Sequence, residues 1–441
     1  MATLSEVRKG KGLIISGYLL SFIIGALLTI NSSFGITSYS LGKVLGVWSL
    51  TALTFQALLV SRAKIIEKAV GYDRITRWHA GNAALILLLV VLHPVLIFYQ
   101  QIISINPGAV IEFLAINPSA LLGATAVGLI LIQGAVTLYW KGLSYEKWRI
   151  LHKIGYLIVI LGFAHSLLLG SDIGLPPQTL VSFWWLGLAA VASISAGYRY
   201  LYLPGNRKEY TVREVDKEAE DVHTVKLKPE DEVIEQEPGQ FAFTRFESEN
   251  LETEEHPFTI ASAPEKGLKF TVKESGDYTS GIGELEPGDK AVVEGPYGRF
   301  TMPRSKKLVM VAGGIGITPF ISMLRYMARN PEEVRETHLI YGNSTEASIA
   351  FREELEELEK NSDWLEATHM LSREEKEGFR YGRIDGELLE DVTGLEGDFM
   401  VCGPEEMIED VRKDLIGLDV DSSRIKSEKF SLRELDLGGL I

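Results

Sequence analysis

Six apolar runs, each near the roughly 20 residues that span a bilayer, fill the chain up to Leu203 and commit that part to helices, because backbone in lipid must satisfy its own hydrogen bonds. They are Leu13–Ile30, Leu41–Val60, Thr76–Ile103, Ser119–Trp140, Ile150–Gly170 and Val181–Leu203. Two of them carry imidazoles. His79 and His93 are 14 residues apart on the third run, and His152 and His165 are 13 apart on the fifth. At about 1.5 Å rise per residue, each spacing separates its two rings by roughly 20 Å along the helix. Two such helices hold two His pairs, one toward each membrane face. A ring nitrogen on each side of a planar iron macrocycle is what six-coordinate haem requires. The competing reading, polar residues lining a helix contact or a proton path, applies better to one isolated histidine than to four in paired positions. Fourteen residues at about 100° fall roughly 40° short of four turns, so His79 and His93 share a face; thirteen fall about 140° short. Aligning His152 with His165 therefore calls for a local π or 3₁₀ irregularity, and Gly155 and Gly162 lie between them.

Charge divides the chain. Residues 1–208 carry a net +10 and the remainder −25, together the −15 of the whole sequence. A membrane part is thus joined to an acidic, water-soluble part of over 200 residues, long enough for two ordinary domains. An acidic surface of that size argues against a nucleic-acid partner. The single Cys402 excludes an intramolecular disulfide. The first run is too long, and too poorly followed by small residues, for a signal peptide. Arg8, Lys9 and Lys11 precede the first run; Arg62, Lys64, Lys68, Arg74 and Arg77 lie between the second and third. Lys141, Lys147, Arg149 and Lys153 lie between the fourth and fifth, and Arg199, Arg207 and Lys208 follow the sixth. The opposite loops offer Glu112 and Asp172, with Lys43 at one edge. Positive-inside bias then places both termini and the soluble part in the cytoplasm, with His79 and His152 as the inner pair and His93 and His165 as the outer.

After Pro204-Gly205 come short β-like runs, Tyr210–Val215, His223–Leu227, Gln240–Thr244, Leu268–Val272 and Lys290–Val293, parted by turn signals such as Glu237-Pro238-Gly239. This spacing predicts a small antiparallel barrel. Inside it lie His256-Pro257-Phe258-Thr259, whose rings and hydroxyl suit a flat heterocycle, and Gly276-Asp277-Tyr278-Thr279-Ser280, opening a short helix whose amide end suits phosphate. From Lys307 strand and helix alternate. Strands are expected at Leu308–Ala312, Thr337–Tyr341, Leu365–Leu371 and Asp398–Val401, with helices at Phe320–Arg329, Phe351–Lys360 and Glu405–Leu415. That alternation predicts a doubly wound parallel sheet with ligands beyond the carboxyl ends of its strands. Gly313-Gly314-Ile315-Gly316-Ile317-Thr318-Pro319 follows the first of those strands: glycines admit a pyrophosphate, Thr318 is a candidate cap and Pro319 suits the first helical turn. Cys402-Gly403-Pro404 ends another, where a nicotinamide has room to rest.

In this order the four-His spans, the His256–Thr259 and Gly276–Ser280 stretches, the Gly313–Pro319 loop and Val401-Cys402-Gly403-Pro404 make the chain resemble the NADPH oxidase and ferric reductase superfamily. The soluble half of that superfamily is similar to ferredoxin-NADP reductases. The resemblance implies three parts: a six-helix transmembrane bundle (residues 1–204), an antiparallel FAD-binding β-barrel (205–304) and a doubly wound α/β nucleotide-binding domain (305–441). It implies two b-type haems on His79, His93, His152 and His165, and FAD held by His256, Pro257, Phe258 and Thr259, with its phosphates at Gly276, Asp277, Thr279 and Ser280. It places NAD(P)H at Gly313, Gly314, Gly316, Thr318, Pro319, Cys402, Gly403 and Pro404, with Thr259 and Cys402 nearest the chemistry. Ser372-Arg373 resembles the Ser-Arg pair that holds a 2′-phosphate, which favours NADPH, while Asn343-Ser344 lacks the arginine many oxidases carry there. Phe430 looks like the aromatic that covers the flavin, although eleven residues follow it. The expected activity is electron transfer from cytoplasmic NAD(P)H through FAD and both haems to dioxygen or a ferric chelate across the membrane. The alternative is an electron-transfer subunit serving a quinone or an extracytoplasmic protein acceptor.

Overall fold

A computed structural model describes residues 4–31, 36–104, 106–139, 145–170, 173, 179–264 and 267–429. The chain divides into two compact units, Met1–Pro204 and Gly205–Ile441.

The first unit is helical: α1 (Leu4–Asn31), α2 (Ser38–Leu59), α3 (Lys64–Val70), α4 (Tyr72–Ile97), α5 (Tyr99–Ile103), α6 (Pro107–Ile116), α7 (Pro118–Tyr139), α8 (Tyr145–His152), α9 (Ile154–Leu169) and α10 (Leu180–Gly197). A π-helical turn, Tyr198–Tyr202, and the short α11 (Leu203–Gly205) end it. Among the described residues, six stretches are long and apolar enough to cross a membrane: Gly10–Ile30, Ser38–Leu59, Tyr72–Ile97, Pro118–Leu138, Lys147–Leu169 and Leu180–Gly205. Their starts are written in the sequence where described. Thr37 and Ser40 form a capping box on α2, and Thr179 accepts from Ser182 N on α10. The single helix expected to Ile103 is interrupted at Phe98, whose φ of −97° and ψ of 17° leave the helical range, and resumes as α5. Helices α2, α4, α7 and α9 share a core of Ala52, Leu53, Ile86, Leu89, Ala126 and Ile158. Outward-facing Leu13, Ile132, Ile160 and Ile194 are more than half exposed, a surface suited to acyl chains and not to water.

In the second unit, β1 (Lys208–Ala219), β2 (Val222–Pro229), β3 (Phe241–Glu247), β4 (Glu255–Thr259), β5 (Leu268–Lys273) and β6 (Lys290–Tyr297) form an antiparallel sheet in the order β4-β3-β6-β1-β2-β5. A bridge from Ile260 to Phe270 joins its two edges and closes the barrel. The short α12 (Asp277–Ser280) lies between β5 and β6. Parallel strands β7 (Lys307–Gly313), β8 (Glu336–Asn343), β9 (Leu365–Leu371), β10 (Arg380–Tyr381), β11 (Asp398–Gly403) and β12 (Ile425–Lys429) form the second sheet in the order β10-β9-β8-β7-β11-β12. Its helices are α13 (Thr318–Arg329), α14 (Arg352–Lys360), α15 (Gly386–Thr393) and α16 (Glu405–Gly417). Strand β7 has β8 on one side and β11 on the other, so the order reverses there and opens a crevice beyond the carboxyl ends of β7 and β11.

Candidate functional site

The four histidines meet in two pairs across α4 and the α8–α9 segment. Ring centroids of His79 and His152 are 5.8 Å apart with planes at 60°; those of His93 and His165 are 6.3 Å apart at 81°. Two imidazoles bound through about 2.0–2.1 Å bonds to one metal ion between them have centroids roughly 6 Å apart, so both pairs fit axial ligation of one iron. His93 Nδ1 lies 2.7 Å from Gly42 O and His165 Nδ1 2.8 Å from Ser119 O. A carbonyl accepts only, so each Nδ1 carries the proton and each Nε2 lone pair is left for a metal. Space for these rings depends on glycine: a Cβ on Gly46 would stand 2.8 Å from His93 Cε1, and one on Gly123 2.6 Å from His165 Nδ1.

Around the first pair the partners are side-chain amides. Gln133 Nε2 lies 3.1 Å from His152 Nδ1, and Gln56 Nε2 lies 3.4 Å from His79 Nε2. His79 Nδ1 is buried with no hydrogen-bond partner among the described residues, as a nitrogen awaiting a ligand would be. The irregularity expected between His152 and His165 lies at Lys153 and not at either glycine. Lys153 N is shared between Arg149 O and Ile150 O, and Tyr156 N bonds back to Lys153 O at 3.1 Å, a tightened turn that overwinds the helix in the sense alignment requires. Sequence reasoning missed Gly42, Gly46, Gln56, Ser119, Gly123 and Gln133. A signal was present: 42, 46 and 56 on α2 and 119, 123 and 133 on α7 repeat the same spacing.

In the soluble unit, His256 on β4 stacks on Tyr278 of α12 at 4.1 Å and 17°, and its Nε2 meets Glu254 Oε2 at 2.6 Å. Burial holds the Tyr278 phenol above its ordinary range. The stack fixes the His256–Thr259 strand beside the Gly276–Ser280 turn. Pro257, Phe258 and Thr259 pair with Phe243, Ala242 and Phe241 of β3. Gly276, Asp277 and Ser280 are exposed and Thr279 half-buried, with the Thr279 and Ser280 hydroxyls returning to Gly276 O. Next to this strand, Arg325 of α13 donates to Ala261 O at 2.7 Å while paired with Glu354, and Ser322 donates to Ser262 O at 2.7 Å. These bonds tie the barrel to the helix that follows the glycine loop.

In that loop, Gly314–Ile317 forms a 3₁₀ turn into α13. Thr318 does not cap α13: it is the first helical residue, and its hydroxyl donates to Ile315 O at 3.0 Å. Pro319 is in the first turn, as expected. Gly316 is needed for packing, since a Cβ there would stand 2.2 Å from Cys402 O; Gly313 likewise abuts Pro404 and Met407. Only Gly314 of the three has positive φ, +52°, with open space around its Cβ position. Glycines 313 and 316 thus clasp the Cys402-Gly403-Pro404 turn, and Gly403 in turn abuts Gly313. Cys402 is fully buried, its strand position opposite Ala312. Ser372 N bonds Asn343 O and Arg373 N bonds Ser344 O, so the loops after β8 and β9 adjoin. The Arg373 side chain is exposed and makes no hydrogen bond or ion pair among the described residues. Phe430 lies outside the described residues.

Comparison with known proteins matches a ferric reductase like transmembrane component at residues 45–163, an FAD-binding domain at 206–301 and an oxidoreductase NAD-binding domain at 310–413. NADH-cytochrome b5 reductase 1 of Lodderomyces elongisporus is 33% identical over 165 residues, 36% of this chain and 55% of that protein. Nitrate reductase [NADH] 1 of Phaseolus vulgaris is 30% identical over 161 residues, 33% of this chain and 18% of that protein. The chain spans about half the length, or less, of these curated relatives. Among solved structures, flavohemoglobin from Malassezia yamatoensis aligns at TM-score 0.50 and 18% identity over 92% of this chain and 99% of that one, a likeness of fold. A ferric reductase like transmembrane component followed by FAD- and NAD-binding domains, in this order along one chain, is the NADPH oxidase and ferric reductase architecture.

Proposed function

We propose that this protein is a transmembrane oxidoreductase taking electrons from cytoplasmic NAD(P)H and delivering them, through FAD and two b-type haems, to an acceptor on the opposite face. The observation that carries this reading is the pair of facing imidazole sets at 5.8 and 6.3 Å, in a bundle joined to a nucleotide reductase. When bound, flavin divides a two-electron hydride donor into single electrons and haem iron carries them one at a time. The residues of the chain bind and orient. His79 with His152 and His93 with His165 would hold the two haem irons, and the two carbonyl bonds fix the His93 and His165 rings. Thr259 and the Gly276–Ser280 turn receive FAD, and Gly313–Pro319 with Cys402–Pro404 receives the nicotinamide nucleotide. Dioxygen or a ferric chelate is the proposed acceptor, with a quinone or an extracytoplasmic protein as the alternative.

Exposed Arg373 beside Ser372 favours a 2′-phosphate and hence NADPH. The likeness to an NADH-cytochrome b5 reductase and to a nitrate reductase [NADH] favours a second reading, NADH. Pyridine haemochrome assay of purified full-length protein tests the di-haem claim. Two haems are expected in wild type, and one is lost from each of His79→Ala, His152→Ala, His93→Ala and His165→Ala. Two haems retained in any of the four would reject that histidine as an essential ligand.

A further inference from the structure

The two His pairs have unlike surroundings. At His93 and His165 each Nδ1 meets a backbone carbonyl, but at His79 and His152 each ring meets a glutamine, and the glutamine on α2 is held by a polar chain. Ala52 O only accepts, so the Asn82 atom 2.9 Å from it is the amide nitrogen. The same NH2 reaches Gln56 Oε1 at 2.6 Å, and Asn82 Oδ1 accepts from the Tyr18 hydroxyl. Orientation therefore propagates from Ala52 O through Asn82 on α4 to Gln56 on α2, with the Tyr18 hydroxyl on α1 satisfying the Asn82 oxygen. The Gln56 NH2 is left donating to the His79 carbonyl at 3.1 Å; with Nδ1 holding a metal, Nε2 carries the proton, so at 3.4 Å the amide acts on the ring through its dipole and not through a hydrogen bond. Gln133 has no such constraint: its Oε1 is buried without a partner among the described residues, and a half-turn of the amide would bring that oxygen onto His152 Nδ1–H. Asn82 is 5% exposed within a membrane-spanning helix, where a polar side chain persists only when satisfied.

We propose that Tyr18, Asn82 and Gln56 are a positioning relay that sets the reduction potential of the haem held by His79 and His152, with Gln133 orienting His152 from the other side. The proposal rests on the di-haem reading above. Reduction adds negative charge at the iron, and the positive end of an amide locked toward its ligand in a low-dielectric site favours the reduced form. A knot that merely packs α1, α2 and α4 together would leave that potential unmoved.

The test is a spectroscopic redox titration of purified full-length protein, with haem counted in the same samples. Gln56→Leu is expected to lower one midpoint by a roughly tenfold change in the one-electron equilibrium, about 59 mV. Tyr18→Phe keeps the ring stacked on Phe55 at 4.0 Å while removing the donor to Asn82 Oδ1, which leaves that oxygen buried and unsatisfied and loosens the Asn82 amide. It should lower the same midpoint by less. The component that moves is the one absent from His79→Ala. Two haems with both midpoints unchanged in Tyr18→Phe would overturn the relay, even if Gln56→Leu loses haem, and so would a shift confined to the component that His79→Ala retains. Wild-type protein without a b-type Soret band would sink the di-haem reading itself and the relay with it.

Discussion

At the scale of single residues, placement of the His93–His165 pair depends on what is missing as much as on what is present. His93 and His165 are fixed by bonds of 2.7 and 2.8 Å to carbonyls, so neither ring can yield freely to a neighbour, and a Cβ at Gly123 would enter at 2.6 Å from His165 Nδ1. Gly123→Ala is therefore expected to reduce the haem count from two to one while sparing the His79–His152 site, as read by pyridine haemochrome; two haems retained would mean the ring relocates without loss of binding. Arg373 offers the matching test in the soluble unit. A charge-assisted contact to a 2′-phosphate contributes on the order of 1.5–3 kcal/mol, about ten- to a hundredfold. Arg373→Ala should raise KM for NADPH by that factor and leave NADH unaffected, and an unchanged NADPH-to-NADH preference would remove the ground for calling this an NADPH enzyme. The four histidines were legible because ionisable groups stand out in apolar runs. Gly42 O and Ser119 O were not, because a carbonyl acceptor carries no side-chain signature. Gln56 and Gln133 were visible only as a spacing repeated on two helices.

At the scale of elements, the sequence located nearly every strand because short runs between turn signals are locally specified, and β9 matches its expected bounds residue for residue. Strands β10 and β12 and helix α15 escaped: β10 has two exposed residues and β12 reads as alternating charge, Lys426, Glu428 and Lys429, so neither shows the apolar pattern of a core strand. Tertiary pairing with β9 and β11 makes them strands. Lys426 shows how β12 is held. Its Nζ donates to Thr301 O at 2.8 Å and lies 5.9 Å from the Phe300 ring, and burial lowers its pKa to about 8. The folded protein then binds fewer protons than the unfolded chain between about pH 8 and 10.5, so this group's contribution to stability rises with pH across that window and is lost as pH falls through 8. Lys426→Met should abolish that rise, worth on the order of 1–3 kcal/mol. Urea unfolding at pH 7, 8, 9 and 10 measures it, and parallel curves for wild type and mutant would show that Lys426 is solvated.

At the scale of the whole molecule, the charge break near residue 208 foretold two units of different solvent, and the chain divides at Pro204 and Gly205. Each sheet of the second unit is complete within it, from β1 at Lys208 to β12 at Lys429. A fragment spanning residues 205–441 is therefore expected to fold without the membrane unit and to turn yellow with FAD; one that is folded by circular dichroism yet colourless would count against the flavin assignment. Where the fragment starts matters more than the charge break alone indicated. Arg207 precedes β1, yet its guanidinium reaches Glu294 at 2.9 and 3.0 Å and Glu255 at 2.7 Å, joining the entry of β1 to β6 and to β4, the strand that carries the His256–Thr259 stretch. Glu294 is only 4% exposed and also accepts from the Tyr297 hydroxyl. Removing one partner of a buried ion pair leaves a carboxylate with its desolvation cost and without its cation, about 3–5 kcal/mol when the pair is fully buried and less where one partner is, as Arg207 is, 20% exposed. A fragment beginning at residue 209 should thus unfold at lower urea concentration than one beginning at 205, by on the order of 2–3 kcal/mol, and Arg207→Met in the longer fragment should reproduce most of that loss. Equal midpoints for the two fragments would show that Arg207 belongs functionally to the linker and not to the flavin barrel.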